Sequence, residues 1–442
     1  MDTERQPNPG SPPPPGDANR PAGETGATDA TPRPHRRIHW PSLAALGGMG
    51  SGLIAGAADT DPTTVATLAV VGATTTYGLA WLIVLIIPML SIIQVISAAV
   101  GVVCKTGLED AIRSRFGRVW AVVTLLIILA VTMLTLSADL EGGCAALQLL
   151  TGAPYQWFLV PLAAGVGALL IWGNYTIVER ILRYVLLIFL SYIVAAFLSR
   201  PDWGAVLSHT FIPHLNTTPV YITGALALLG TTLTSYAYVW ETIQQGAERP
   251  GIRRLGLVQF DAGAGAVVAG LLFWFILIST GATLGVHHET VETAEDAARA
   301  LAPLAGEYAS ILFGLGLLAS ALLALPVLTA TSAFVMSEAF GWRRSLDVGF
   351  SRARGFYVAL VISLVVAVGI TLFGVSPIRL LFLSSLAGGL GTPVTLLFLM
   401  LLARDLRVMG EHRISGQLAT AGWAVTLVVA TACILFLWQT FV

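Results

Sequence analysis

Apolar residues gather into eleven runs, at about 43–72, 78–103, 119–149, 156–172, 181–199, 219–244, 256–284, 307–340, 355–374, 378–403 and 420–441. About 20 apolar residues carry an α-helix across a bilayer core, so the pattern predicts an all-α polytopic membrane protein of eleven transmembrane helices. Polar positions are patterned too. The basic clusters "KTGLEDAIRSRFGR", "ERPGIRRLG", "GWRRSLDVGFSRARG" and "ARDLRVMGEHR" each fall between an even-numbered run and the next odd one. If the runs alternate from a cytoplasmic N-terminus, only Arg200, Arg299 and Arg379 of the 24 Lys and Arg lie on the outer side. That positive-inside bias predicts a plasma (inner) membrane protein with its N-terminus in the cytoplasm and its C-terminus outside.

Composition agrees: 55% of residues are hydrophobic, 11% are charged, and the mean hydropathy is +0.79. Residues 1–37 are different material, with nine of the 22 prolines and ten interspersed charges. Such a segment buries too little apolar surface to offset its ordering entropy, so a disordered cytoplasmic tail is expected, followed by a transporter domain over 38–442. Cys104, Cys144 and Cys433 lack the paired spacing of a zinc site and read as packing residues. No nucleotide fingerprint, nucleophile elbow, HExxH motif or basic nucleic-acid surface occurs, which argues against an enzyme or a nucleic-acid partner. The outer loop "VHHETVETAEDAARALAPLAGE" is acidic, as solvated loops commonly are. His209, His214, His287 and His288 are read as solvated.

Within the first run, "LIAGAADTDPTTVATLAVV" places Asp59, Asp61 and Pro62 near the middle of a span. A mid-membrane carboxylate costs about 2.5–3.5 kcal/mol even on the lenient insertion scale. Proline lacks an N–H and clashes with the preceding turn. Irregular backbone at this depth is tolerated only against protein or a water-filled cavity. "DTDPTT" therefore reads as an unwound helix centre, with Asp61 facing a polar cavity among Thr60, Thr63, Thr64 and Thr67. Whether Asp59 faces the same way stays open. The sixth run repeats the device: Thr231, Thr232, Thr234, Ser235, Tyr236 and Tyr238 cluster mid-span, with no charge before Glu241. Breaks five helices apart predict a LeuT-like 5+5 inverted repeat with helices 1 and 6 broken and helix 11 added.

These residues carry a resemblance. From about 44 to 413 the chain resembles the Nramp (natural resistance-associated macrophage protein) family of divalent-metal transporters. "DPTT" (Asp61–Thr64) stands where the family has "DPGN", and "TSYA" (Thr234–Ala237) where it has "MPHN". Further similar stretches are "SADLEGGCAALQLLTGAP", "LPVLTATSAFVMSEAFGW" and "LLARDLRVMG". The resemblance implies a cation at the two breaks, held by Asp61, Thr64, Thr231, Thr234 and Ser385, with Asp59 a further candidate.

The departures change the expected chemistry. Thr64 stands for an Asn, Thr234 for a Met, and Ser385 for a Gln of the tenth helix. Without the thioether the site is all-oxygen, which suits hard ions such as Mg²⁺ or Mn²⁺. This pattern is similar to the Nramp-related magnesium transporters. Tyr236 replaces a His, and Gly142 replaces the Glu paired with Asp139, so the implied proton relay is thinned to Asp139 and, at most, Glu241 or Asp261. Alternating-access transport without protons is the expected mechanism. Its rivals are a proton-coupled Mn²⁺/Fe²⁺ importer and an amino-acid or organic-cation permease of the same architecture. Glu141 is expected to face away from Asp139, and Glu179, Glu241, Asp261 and Glu338 to lie near cytoplasmic helix ends. No cofactor is called for; the partners are the transported ion and the lipid bilayer.

Overall fold

The computed structural model describes residues 60–172, 190–248, 255–287, 289–342 and 353–441. The tail, Asp59, Glu179, the first half of run one and the first half of run five lie outside the described residues. The long helices are α1 (Pro62–Thr75), α2 (Ala80–Cys104), an interhelical α3 (Leu108–Phe116), α4 (Arg118–Thr151), α5 (Gln156–Trp172) and a short α6 (Trp203–Phe211). They continue with α7 (Pro219–Thr232), α8 (Ser235–Glu248), α9 (Leu255–Thr280), α10 (Ala309–Phe340), α11 (Arg354–Thr371), α12 (Pro377–Arg404) and α13 (Gly416–Phe441). Eight stretches among the described residues are long and apolar enough to span a membrane. One of them, 219–246, holds α7 and α8 on either side of a break.

Helix ends follow the local chemistry. α1 opens on Asp61-Pro62: Pro62 sits at the first helical position, where a missing N–H costs nothing, and the Asp61 carboxylate accepts from the Thr64 N–H at 2.7 Å. α4 ends at Gly152, which takes a left-handed φ of 75°. In the acidic loop, Thr293 and Asp296 form a reciprocal capping box, and Arg299 pairs with Glu289 at 3.0 Å and Asp296 at 3.6 Å. Two of that loop's acids are thus engaged locally.

α1 lies at the centre, touching α4, α7, α9, α10 and α12. Around it α4 packs along α10, α2 along α9, and α7 against α12. Small residues set that last approach. A Cβ on Gly230 would lie 2.0 Å from the Ser385 carbonyl oxygen and 2.3 Å from the Gly389 nitrogen, so α7 and α12 meet backbone to backbone.

Outside the spans, Glu109 on α3 is buried, with one oxygen accepting from Thr124 at 3.1 Å and the other unpartnered. Burial pushes its carboxyl up from 4.5 to about 8, against the Thr124 hydrogen bond and with help from the charges of Glu338 and Asp110. The folded protein therefore holds this proton more tightly than the unfolded chain does. Glu109 makes its full contribution below the unfolded value, and stability declines as pH rises toward the folded one. Glu109→Gln is expected to flatten the fall of melting temperature between about pH 5 and 8 and to melt above the native protein at the upper end. Parallel fluorescence melts across that range check it; two equally steep profiles would refute it.

Candidate functional site

The start of α1, at the first predicted break, and the break between α7 and α8 face each other. α7 stops at Thr232, Leu233 and Thr234 interrupt the span, and α8 begins at Ser235. The carbonyl freed at Leu233 accepts from Thr392 Oγ1 of α12 at 3.0 Å. In the first break the Thr60 carbonyl accepts from Ser320 Oγ of α10 at 2.6 Å. Side chains from neighbouring helices thus satisfy the unwound backbone, as they must where no bulk water reaches.

Hydrogen bonds from the start of α1 reach four helices. Thr63 donates to the Asp139 carboxylate of α4 through both its N–H, at 3.1 Å, and its Oγ1, at 2.6 Å. Thr64 Oγ1 is 2.9 Å from Thr231 Oγ1 on α7, and Thr67 Oγ1 is 2.6 Å from Ser385 Oγ on α12. Tyr236 on α8 donates its hydroxyl to the second oxygen of Asp61 at 2.6 Å. Asp61, Thr64, Thr231, Thr234, Ser385 and Asp139 are all buried, and Tyr236 nearly so.

The structure therefore brings Asp61, Thr64, Thr231 and Tyr236 together, with Asp139 beside them. Thr234 sits in the second break between Thr231 and Tyr236. Ser385 is one turn along α1 from Thr64, where its hydroxyl pairs with Thr67. Glu241, two turns beyond Thr234, accepts from Gln245 Nε2 at 3.0 Å. Asp59 lies outside the described residues. Gly142 shares the Asp139 face of α4: a Cβ there would meet Pro62 and Leu381, each at 3.2 Å, so an apolar contact with α1 occupies the place of a second acid. Glu141 faces elsewhere, as expected, toward Tyr155, yet it is buried.

Sequence reading missed Ser320, Ser384, whose hydroxyl donates to Thr135 at 2.9 Å, and Thr63 as the anchor of Asp139. Ser320 and Ser384 carry no local signal, being single hydroxyls in apolar runs. Among the described residues no group of three or more His, Cys, Asp or Glu side chains gathers as a metal cluster. His209 and His214 stack their rings 4.5 Å apart without a third ligand. The polar centre is built of two acids, hydroxyls and the hydrogen-bonded backbone carbonyls of Thr60 and Leu233.

Broken spans crossing at a buried polar centre define an all-helical membrane protein of the LeuT-like inverted-repeat class. Its fold is shared with a variant of the Eremococcus coleocola manganese transporter, at TM-score 0.68 and 21% identity over 92% of this chain and 88% of that one. MhsT, solved with L-phenylalanine, is similar at TM-score 0.59 and 17% identity over 89% of this chain and 99% of its own. The Nramp model, "Natural resistance-associated macrophage protein-like", matches residues 52–439, and the chain belongs to that family. A curated relative, the divalent metal cation transporter MntH of Deinococcus radiodurans, is 30% identical over 441 residues, covering 95% of this chain and 94% of its own length.

Proposed function

We propose that the protein carries divalent metal cations across the plasma membrane by alternating access, with Mg²⁺ and Mn²⁺ as substrates. The observation that carries this reading is the polar centre at the two facing breaks. A buried carboxylate, Asp61, is surrounded there by threonine and tyrosine hydroxyls, and no sulfur ligand is present among Asp61, Thr64, Thr231, Thr234 and Ser385. Oxygen ligands suit hard cations, and Mg²⁺, which dehydrates reluctantly, is held by one or two carboxylates with waters retained. The name of the MntH relative supports the divalent-cation class. An amino-acid permease is supported by fold likeness alone, and Asp61 in the break would repel a substrate carboxylate.

Uptake of Mn²⁺ and Mg²⁺, against that of amino acids, by the purified protein in liposomes tests the proposal. Amino-acid uptake without metal uptake would overturn it. Selectivity is tested at the second break: Thr234→Met restores a soft ligand and is expected to raise Cd²⁺ affinity relative to Mg²⁺ at least tenfold by calorimetry. An unchanged ratio would mean that Thr234 does not touch the ion.

Transport is proposed to run without protons. A tyrosine, Tyr236, stands where the family has a histidine, and Gly142 packs against Pro62 and Leu381 where a relay acid would stand. Liposomes loaded with a pH dye and given an inward Mn²⁺ gradient at clamped potential should show no acidification that follows the metal. Acidification would favour the rival reading, proton-coupled Mn²⁺ import.

A further inference from the structure

Asp139 is the second acid of the polar centre, and its geometry is unusual for a structural residue. It is fully buried on α4, 76 residues from Thr63 in the chain, and only its Oδ1 is used: that oxygen accepts both the N–H and the Oγ1 of Thr63. Its Oδ2 is buried without a hydrogen-bond partner. Thr63 and Thr64 are consecutive residues of the first turn of α1. Their N–H groups go to different carboxylates, Thr63 to Asp139 and Thr64 to Asp61. Two acids thus converge on one helix N-terminus. No Lys, Arg or His of the described residues forms an ion pair with either.

We propose that Asp139 is a direct ligand of the transported divalent cation, its free Oδ2 completing with Asp61 a two-carboxylate site at the N-terminus of α1. The proposal rests on the divalent-cation reading above and deepens it. Charge supplies the reason. The N-terminus of a helix carries about half a positive charge, too little to balance two adjacent carboxylates in a low-dielectric interior. A dication between them makes the site neutral overall, whereas Asp61 alone would leave a buried net positive charge. A second carboxylate also offsets the loss of a soft ligand at Thr234, because hard cations draw their affinity from charged oxygen. The close contact of Gly142 with Pro62 keeps α4 near α1, and so keeps Asp139 within reach of the break.

A purely structural role, with Asp139 acting as a second cap on α1, is separated by two variants of the full-length purified protein. Binding is measured by calorimetry at constant pH without any gradient, so that proton movement across a membrane plays no part. Asp139→Asn keeps an acceptor oxygen for Thr63 but removes the charge, and Mn²⁺ affinity is expected to fall at least tenfold. Asp139→Cys offers a thiolate, and the Cd²⁺ to Mg²⁺ affinity ratio is expected to rise at least tenfold, which follows only if position 139 touches the ion. An Asn variant with native Mn²⁺ affinity, or a Cys variant with a native Cd²⁺ to Mg²⁺ ratio, overturns direct ligation. Asp61→Ala run alongside keeps the two claims apart. Loss of binding there, with both position-139 variants native, rejects Asp139 and leaves the site reading intact. Native binding in Asp61→Ala rejects the site reading itself.

Discussion

Asp61→Ala is expected to abolish divalent-cation uptake in liposomes, by at least a hundredfold, while the protein still folds and inserts. The stability effects oppose one another. Losing the N-cap of α1 costs about 0.5–2 kcal/mol. Leaving the Tyr236 hydroxyl without its acceptor costs about 1–3 kcal/mol more. Against this, removing a mid-membrane carboxylate relieves about 2.5–3.5 kcal/mol on the insertion scale. The sum is near zero, so the melting temperature should move little. Function has no such offset, because the variant removes the carboxylate at the start of α1 and leaves Asp139 as the one acid of the centre, too little charge for a divalent cation. Radiotracer uptake per folded protein, read beside a melting curve, decides the matter; native uptake in the Ala variant would end the proposal for Asp61.

Gly230→Ala is expected to have the second large effect, through packing. Ala is a better helix former than Gly by up to about 1 kcal/mol, so α7 alone would gain. The added Cβ, however, would lie 2.0 Å from the Ser385 carbonyl oxygen and 2.3 Å from the Gly389 nitrogen. Those atoms are backbone and have no rotamer to change. Overpacking typically costs about 1–3 kcal/mol, and contact with backbone places this case at or beyond the upper end. The strain falls beside Thr231 and Ser385, so separation of α7 from α12 should also pull the Thr64–Thr231 and Thr67–Ser385 pairs apart. A lower melting temperature together with lost uptake is the expected result. Gly165→Ala on α5, with nothing within 4 Å of the new Cβ, is the control expected to stay native. A Gly230→Ala protein with native melting and uptake would show that the two helices yield without cost.

Much of the fold was legible because its signals are local. Hydropathy marked the spans, and the Asp-Pro pair marked the start of α1. The cluster of threonines and tyrosines in run six marked the second break, and that break falls between Thr232 and Ser235. The nominated polar residues Asp61, Thr64, Thr231 and Tyr236 do meet. The roles of the threonines around Asp61 were not legible: Thr63, Thr64 and Thr67 looked equivalent in sequence, yet they reach α4, α7 and α12 respectively. Glu141 had the opposite fate, since helical phase turned it away from Asp139 but gave no hint that it would be buried.

The sequence by itself determined the class of environment, the rough extent of the described spans, and the two places where a helix cannot continue. Each depends on a residue and its near neighbours: on side-chain transfer energies, on a missing N–H, on a carboxylate with no stem long enough to leave the membrane. Only the tertiary structure decided which polar atoms share a site. Asp139 meets Thr63 across 76 residues, and Tyr236 meets Asp61 across 175. Such pairings depend on the rotation and depth of helices packed against one another. A few small residues, Gly142 against Pro62 and Gly230 against Ser385 and Gly389, set how close those helices come. Hydropathy is blind to that quantity, because a glycine that permits backbone contact and a glycine facing lipid, such as Gly165, look the same in the chain.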